Sequence, residues 1–288
     1  MINQGLSLAN PARKFRRTNV FRAVLTYAAG LTLLVFFAGP LFWMLVTSLK
    51  TRAQLYSFAV FPRPIAWSNY AVALGSIPFF RQLANTAVIV AANVLGQLLS
   101  SSLVAFGFAR LRSPWKNRLF VLVLATMMVP QVATLIPSYI LFKELRWIDT
   151  FLPLIVPAFT GHAYNIFLLR VFYQGIPIEL DEVARVDGAS SLTIWRRVIL
   201  PLSKPVLTTI AVFTFQNTWN DFMGPLIYLQ TPERFTLQLG LASFSGMYSV
   251  DWVSVMAASA VIMVPCVLVF VFAQRFFTES LAFTGLKE

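Results

Sequence analysis

Long apolar runs alternate with short polar, charged breaks along the whole chain. Six runs reach the roughly 20 residues that a helix needs to cross the hydrocarbon core of a bilayer. They fall near Val24–Val46, Leu83–Ala109, Leu119–Phe142, Phe151–Tyr173, Leu202–Leu229 and Val253–Phe277. The pattern predicts an all-α membrane protein with six transmembrane helices. Residues 143–150 form a short hairpin between spans three and four. Two larger breaks, Lys50–Gln82 and Gln230–Trp252, read as irregular loops with Trp67 and Trp252 at the interface. Neither is long enough for a separate domain. The reading is one membrane domain over 24–277, preceded by a basic arm over 1–23 and followed by a tail over 278–288.

Composition sharpens this. Of the 288 residues, 58% are hydrophobic and 12% charged, against roughly 25% charged in soluble domains. The net charge of +12 could suit nucleic acid, but the basic residues flank apolar spans, which points to orientation in a lipid membrane instead. With the N-terminus inside, sixteen of the 23 Lys and Arg side chains fall on the inner face. The positive-inside rule therefore places both termini, and the loop over 177–201, in the cytoplasm. The basic start resembles a signal peptide, yet its apolar run exceeds a 7–15-residue core and reads as a retained anchor. One cysteine, Cys266, and one histidine, His162, exclude a disulfide framework and a Cys- or His-rich metal site.

Polar residues inside the spans have a helical phase. Asn217, Asn220, Asp221 and Gly224 lie at i, i+3, i+4 and i+7, one face of a continuous helix. Asn93, Gln97, Ser100 and Ser101 repeat the pattern in span two. Span three offers Gln131, Thr134 and Ser138, and span four His162 and Asn165. Singly, such residues read as interhelical glue worth about 0.6 kcal/mol each. Together they read as the lining of a hydrated path. Proline interrupts several spans, and Pro130 and Pro137 flank Gln131 and Thr134, predicting irregular backbone beside a cavity. Asp221 is the one acid well inside a span. It leaves open an ion-coupled transporter or channel, although no partner charge or internal repeat accompanies it.

The break over 177–201 is patterned. Acidic Glu179, Asp181 and Glu182 open a short helix, on which Leu180, Val183, Ala184 and Val186 form an apolar stripe. Gly188 permits a turn barred to other residues, and Ser190 or Ser191 can cap a second helix that stops at Pro201. The expected surface, formed by Ala184, Ala189, Leu192 and Trp195, faces the cytoplasm and suits a protein partner.

The spacing E-x-A-x-x-x-G, then nine residues and [IV]-x-L-P, is carried by Glu182, Ala184, Gly188, Val198, Leu200 and Pro201. It resembles the EAA loop of ABC importer permeases, and Asp187-Gly188-Ala189-Ser190 resembles the carbohydrate importers of the maltose-transporter type. Other segments agree, namely Pro40–Met44 with Ser48-Leu49-Lys50, Asn85-Thr86, Trp219–Phe222 and Gln274–Phe277. The likeness spans nearly the whole chain and is greatest to the second, MalG-like permease. It implies a type I importer with the MetI-like permease fold and a cytoplasmic coupling helix. It also implies a second, MalF-like permease, two ATPase subunits carrying ATP and Mg, and an extracytoplasmic sugar-binding protein, in a prokaryotic inner membrane. Glu182, Ala184, Asp187, Gly188, Ala189, Leu200 and Pro201 would then couple the chain to an ATPase. The chain has no phosphate-cradling G-x-x-x-x-G-K-[ST] segment, so it is expected to be neither an enzyme nor the holder of a cofactor.

Overall fold

The computed structural model describes residues 11–57, 59–245 and 250–284, and among them every regular element is helical. The first ten residues of the arm and the tail from 285 lie outside the described residues. Helix α1 (Pro11–Ser48) contains the first span, so the basic arm from Pro11 onward continues that helix. The break after it holds a 3-10 turn, Arg52–Tyr56, and α2 (Ser68–Gly75). Helix α3 (Phe79–Arg110) is the second span. At 1.5 Å per residue its 32 residues reach about 48 Å, beyond the hydrocarbon thickness at either end.

The third span is not straight. Helix α4 (Lys116–Thr126) meets α5 (Gln131–Glu144) at 94°. Pro130, extended at φ −62° and ψ 132°, stands at the joint. It lacks an N–H and bars the helical conformation to the residue before it. The fourth span, Leu152–Gly175, is a helix in pieces. It comprises α6 (Leu152–Ile155), a 3-10 turn over Val156–Thr160 containing Pro157, Gly161, and α7 (Ala163–Gly175).

The charged break follows as α8 (Glu179–Val186), α9 (Ser191–Ile194), a π-helical turn over Trp195–Ile199 and α10 (Leu200–Leu202). Pro201 does not stop this segment. The wide turn, with Leu200 N–H donating to Trp195 O, carries the backbone past the proline, as single π turns inside helices do. The stop comes at Ser203, where the axis swings 80° into α11 (Lys204–Trp219).

The fifth span was expected to run to Leu229, but α11 ends at Trp219 and α12 (Met223–Tyr228) starts afresh. Pro225 cannot donate to the Asp221 carbonyl, which breaks the ladder there. The single-face argument for Asn217, Asn220, Asp221 and Gly224 therefore fails. The loop over 230–252 is likewise more ordered than expected, because α13 (Leu237–Ala242) packs on α3. Thr86 accepts the Leu237 N–H at 2.9 Å, and Asn85 donates to the carbonyls of Glu233 and Phe235. The sixth span lies in α14 (Trp252–Thr284).

Helix α3 is the central element, packed against α7 and α11, while α14 packs against α1, α2 and α11. Two apolar clusters form at its two ends. Phe106, Leu169, Tyr173, Ile194, Ile199 and Ile210 gather near α8. Ala73, Phe79, Trp219, Leu237, Ala257 and Ile262 gather at the opposite end. Among the described residues, three continuous spans, the pieced fourth span and two bent pairs thus give up to six crossings around a polar middle.

Candidate functional site

Between the two clusters lies a cavity of about 760 Å³, walled by α3, the broken fourth span, α5 and α11. Six of the eight candidate path residues line it: Asn93, Gln97, Gln131, Asn165, Asn217 and Asp221. His162, expected beside Asn165 on span four, also lines it, and Tyr164, Thr214 and Thr218 add polar atoms the phase argument left out. Asn220 and Gly224 are not among the lining residues. Asn220 turns its amide to the Gln216 carbonyl at 2.8 Å. Gly224 donates its N–H to Asp221 Oδ1 at 3.1 Å, and a Cβ there would come within 2.5 Å of the other carboxylate oxygen. Asp221 is thereby fixed against the first turn of α12. Trp219 is buried, stacked on Phe215 and donating Nε1–H to the Ile262 carbonyl, so its face is closed to any solute.

The polar stripe of α3 has two tasks. Where the fourth span breaks, its backbone groups need partners inside the bilayer. Asn93 donates to Leu154 O at 3.0 Å, Ser100 to Ala158 O at 3.2 Å, and Ser101 Oγ accepts the His162 N–H at 3.3 Å. Gln97 joins the two spans through Asn165 Nδ2 at 3.2 Å. Asn93 and Gln97 are glue and lining at once, whereas Ser100 and Ser101 serve the break alone.

At the end of α3 the charged break makes a tight corner. Gly188 sits at φ +82°, and its N–H donates to Arg185 O while Ala189 N–H donates to Ala184 O. This is the paired ending of a helix on a left-handed residue, with its small apolar contact between Ala184 and Ala189. Ser190 Oγ then caps α9 by accepting the Thr193 N–H. The expected outward surface is corrected here. Trp195 is 9% exposed, and Ala184 and Ala189 pack half-buried on the apolar cluster beneath. The exposed rim is instead Val183, Val186 and Leu192, at 62%, 88% and 60%, with Glu182 and Asp187 beside them. Leu200 is half-buried against the cluster, and Pro201 is exposed.

What fastens α8 to the bundle was read only as a first-turn acid. Asp181 is fully buried, and its Oδ2 lies 3.6 Å from Nε of Arg110, the last residue of α3, whose side chain is 4% exposed. Arg110 also donates to Ile176 O at 2.7 Å, gripping the entry to the corner. Neither Asp181 oxygen nor Arg110 Nε has a hydrogen-bond partner among the described residues, so charge alone joins them. The signal was available: Asp181 lies three residues before Ala184, on the inward face of α8.

A helical bundle of apolar spans around a polar hollow, with an unpartnered apolar rim at one end, defines a membrane transport component that works with other subunits. Residues 97–282 match the family described as binding-protein-dependent transport system inner membrane component. The arabinooligosaccharides transport system permease protein AraQ of Bacillus subtilis is 32% identical over 276 residues, 93% of this chain and 97% of that one. The sn-glycerol-3-phosphate transport system permease protein UgpE of Shigella flexneri is 32% identical over 217 residues, 75% and 76% of the two chains. A chain of the crystal structure of a bacterial ABC transporter involved in alginate import superposes with a TM-score of 0.79. It is 23% identical, over 96% of this chain and 100% of that one.

The chain belongs to this inner-membrane component family. It is the membrane permease of such a system rather than its ATP-hydrolysing subunit. Among the described residues no group of His, Cys, Asp and Glu side chains could hold a metal ion.

Proposed function

We propose that this chain is one of two permeases of an ATP-driven importer that carries a sugar or oligosaccharide into the cytoplasm. Its partners are a MalF-like second permease, two ATPase subunits holding ATP and Mg, and an extracytoplasmic sugar-binding protein. The excess of basic residues beside the α8 end supports a cytoplasmic location for that end and for both termini. The α8 corner docks on an ATPase through Val183, Val186 and Leu192, with Glu182 and Asp187 at the rim. Ala184, Gly188, Ala189, Leu200 and Pro201 hold its shape. Relatives named for arabinooligosaccharides and glycerol phosphate support a polyhydroxylated solute, and amide-lined walls such as Asn93, Gln97, Asn165 and Asn217 suit hydroxyl groups.

One observation carries this reading. The helix whose last residue grips the corner, α3, is the helix whose middle walls the cavity. A displacement of α8 therefore reaches the solute path through one rigid element. In the complex assembled with the neighbouring subunits, a photo-crosslinker at Val183 or Leu192 captures an ATPase. Proteoliposomes then take up a labelled oligosaccharide only with ATP and binding protein. Crosslinks to lipid alone would sink the coupling role, and uptake without ATP would sink the importer.

A further inference from the structure

At the end of the molecule opposite α8, a second hollow of about 280 Å³ lies among Trp43, Thr47, Lys50, Tyr56, Trp252 and Met256. It shares no lining residue with the main cavity. Lys50 is only 1% exposed. No carboxylate lies within 4.0 Å of its ammonium among the described residues, and its recorded neighbour is the Trp43 ring, 4.8 Å from Nζ. Thr47 Oγ1 is buried there without a hydrogen-bond partner. The adjacent acid, Asp251, is already engaged by Arg52 at 2.8 Å and by Ser254 Oγ at 2.8 Å.

Burying an ammonium without a counter-charge is costly, and a cation–π contact returns only part of that cost. The hollow is short of one anion, with a hydroxyl beside it free to donate. Its surroundings say which anion fits. On the face of α1 that carries Trp43 and Thr47, two turns further from Lys50, Phe36 is exposed and apolar. Trp43 and Trp252 stand half-exposed at the ends of two spans, the level at which aromatic side chains meet headgroups.

We propose that this hollow binds the phosphate of an anionic phospholipid in the leaflet at that end. The ammonium of Lys50 and the hydroxyl of Thr47 take the phosphate oxygens, Trp43 and Trp252 flank the glycerol, and the acyl chains lie along α1.

The test is native mass spectrometry of the assembled transporter, titrated with phosphatidylglycerol, phosphatidylcholine or inorganic phosphate. The wild type retains phosphatidylglycerol over phosphatidylcholine by about tenfold, the effect of some 1.4 kcal/mol. Lys50→Met removes that preference and Lys50→Arg keeps it. Thr47→Val, which leaves the charge in place, weakens phosphatidylglycerol about threefold, the loss of one hydrogen bond; this variant carries the test should Lys50→Met fail to assemble. An unchanged preference in both Lys50→Met and Thr47→Val overturns the site. Binding of inorganic phosphate that phosphatidylglycerol cannot displace overturns the lipid as its source. Loss of the second permease from Lys50→Met at every lipid composition, with Thr47→Val unaltered, assigns Lys50 to a neighbouring subunit and overturns the proposal too.

Discussion

Asp149 shows how much one residue can fix. It stands in the hairpin between α5 and α6 at φ +59°, a conformation that non-glycine residues adopt rarely, Asn and Asp most readily. Its carboxylate accepts a hydrogen bond from the Thr231 hydroxyl and from the backbone N–H groups of Gln230 and Thr231, both at 3.0 Å, and pairs with Arg234 at 3.1 Å. The hairpin is thereby tied to the segment after α12. The Thr231 hydroxyl chiefly, then the two backbone donors and Arg234, outweigh the effect of burial and hold the carboxyl down at about 2. A depressed carboxyl contributes stability above its unfolded value, near 4, and loses it as pH falls towards 2. Fluorescence of Trp147, stacked on Phe142 in the same hairpin, is expected to change between pH 4 and 2 in the wild type. In Asp149→Asn that step disappears, because no group is left to titrate. A step of the same size in the variant would show that another acid holds the knot.

Among the elements, α3 joins the two functional regions, and Arg110–Asp181 is the joint. Asp181→Asn leaves the Arg110 charge buried and unpaired, a loss on the order of 3–5 kcal/mol. The expected outcome is a complex that still hydrolyses ATP while uptake falls at least tenfold. Exchanging the two residues restores part of the uptake, because both charges are again paired. Uptake unchanged in Asp181→Asn would assign the pair to folding alone.

The spans themselves were legible because apolar length is a local property, as Val24–Val46 and Val253–Phe277 show. The breaks at Gly161 and Asn220 were not. A proline in a membrane helix is often tolerated, and the break here is held by Asn93, Ser100, Ser101 and Asp221, whose partners lie far off in sequence or across a turn. Trp195 misled for the same reason: which side of a short helix faces the protein depends on where α3 ends. The turn at Gly188 was readable from residue type, since its backbone bonds are all local.

For the whole molecule, the cavity is an open half. Gln131, His162, Tyr164 and Asn217 line it yet are exposed in the lone chain, the side that the proposed second permease would close. On the proposed function energy enters at α8, and Asp221 is occupied in holding α12. Asp221→Asn keeps the Gly224 contact through its amide oxygen and leaves uptake ATP-driven, at the same rate with or without a proton gradient. Uptake that vanishes when the gradient is collapsed would restore the ion-coupled alternative.

The right-angled joint at Pro130 leaves α5 without a buried residue, and most apolar side chains of the first span, Arg22–Ser48, are exposed as well. Such surfaces tolerate lipid, but the amide-lined trough beside α5 does not. An orphan copy would leave that trough open to the bilayer, where a degradative protease could recognise it. On the proposed pairing, the persistence of this subunit in the membrane would depend on the presence of its mate.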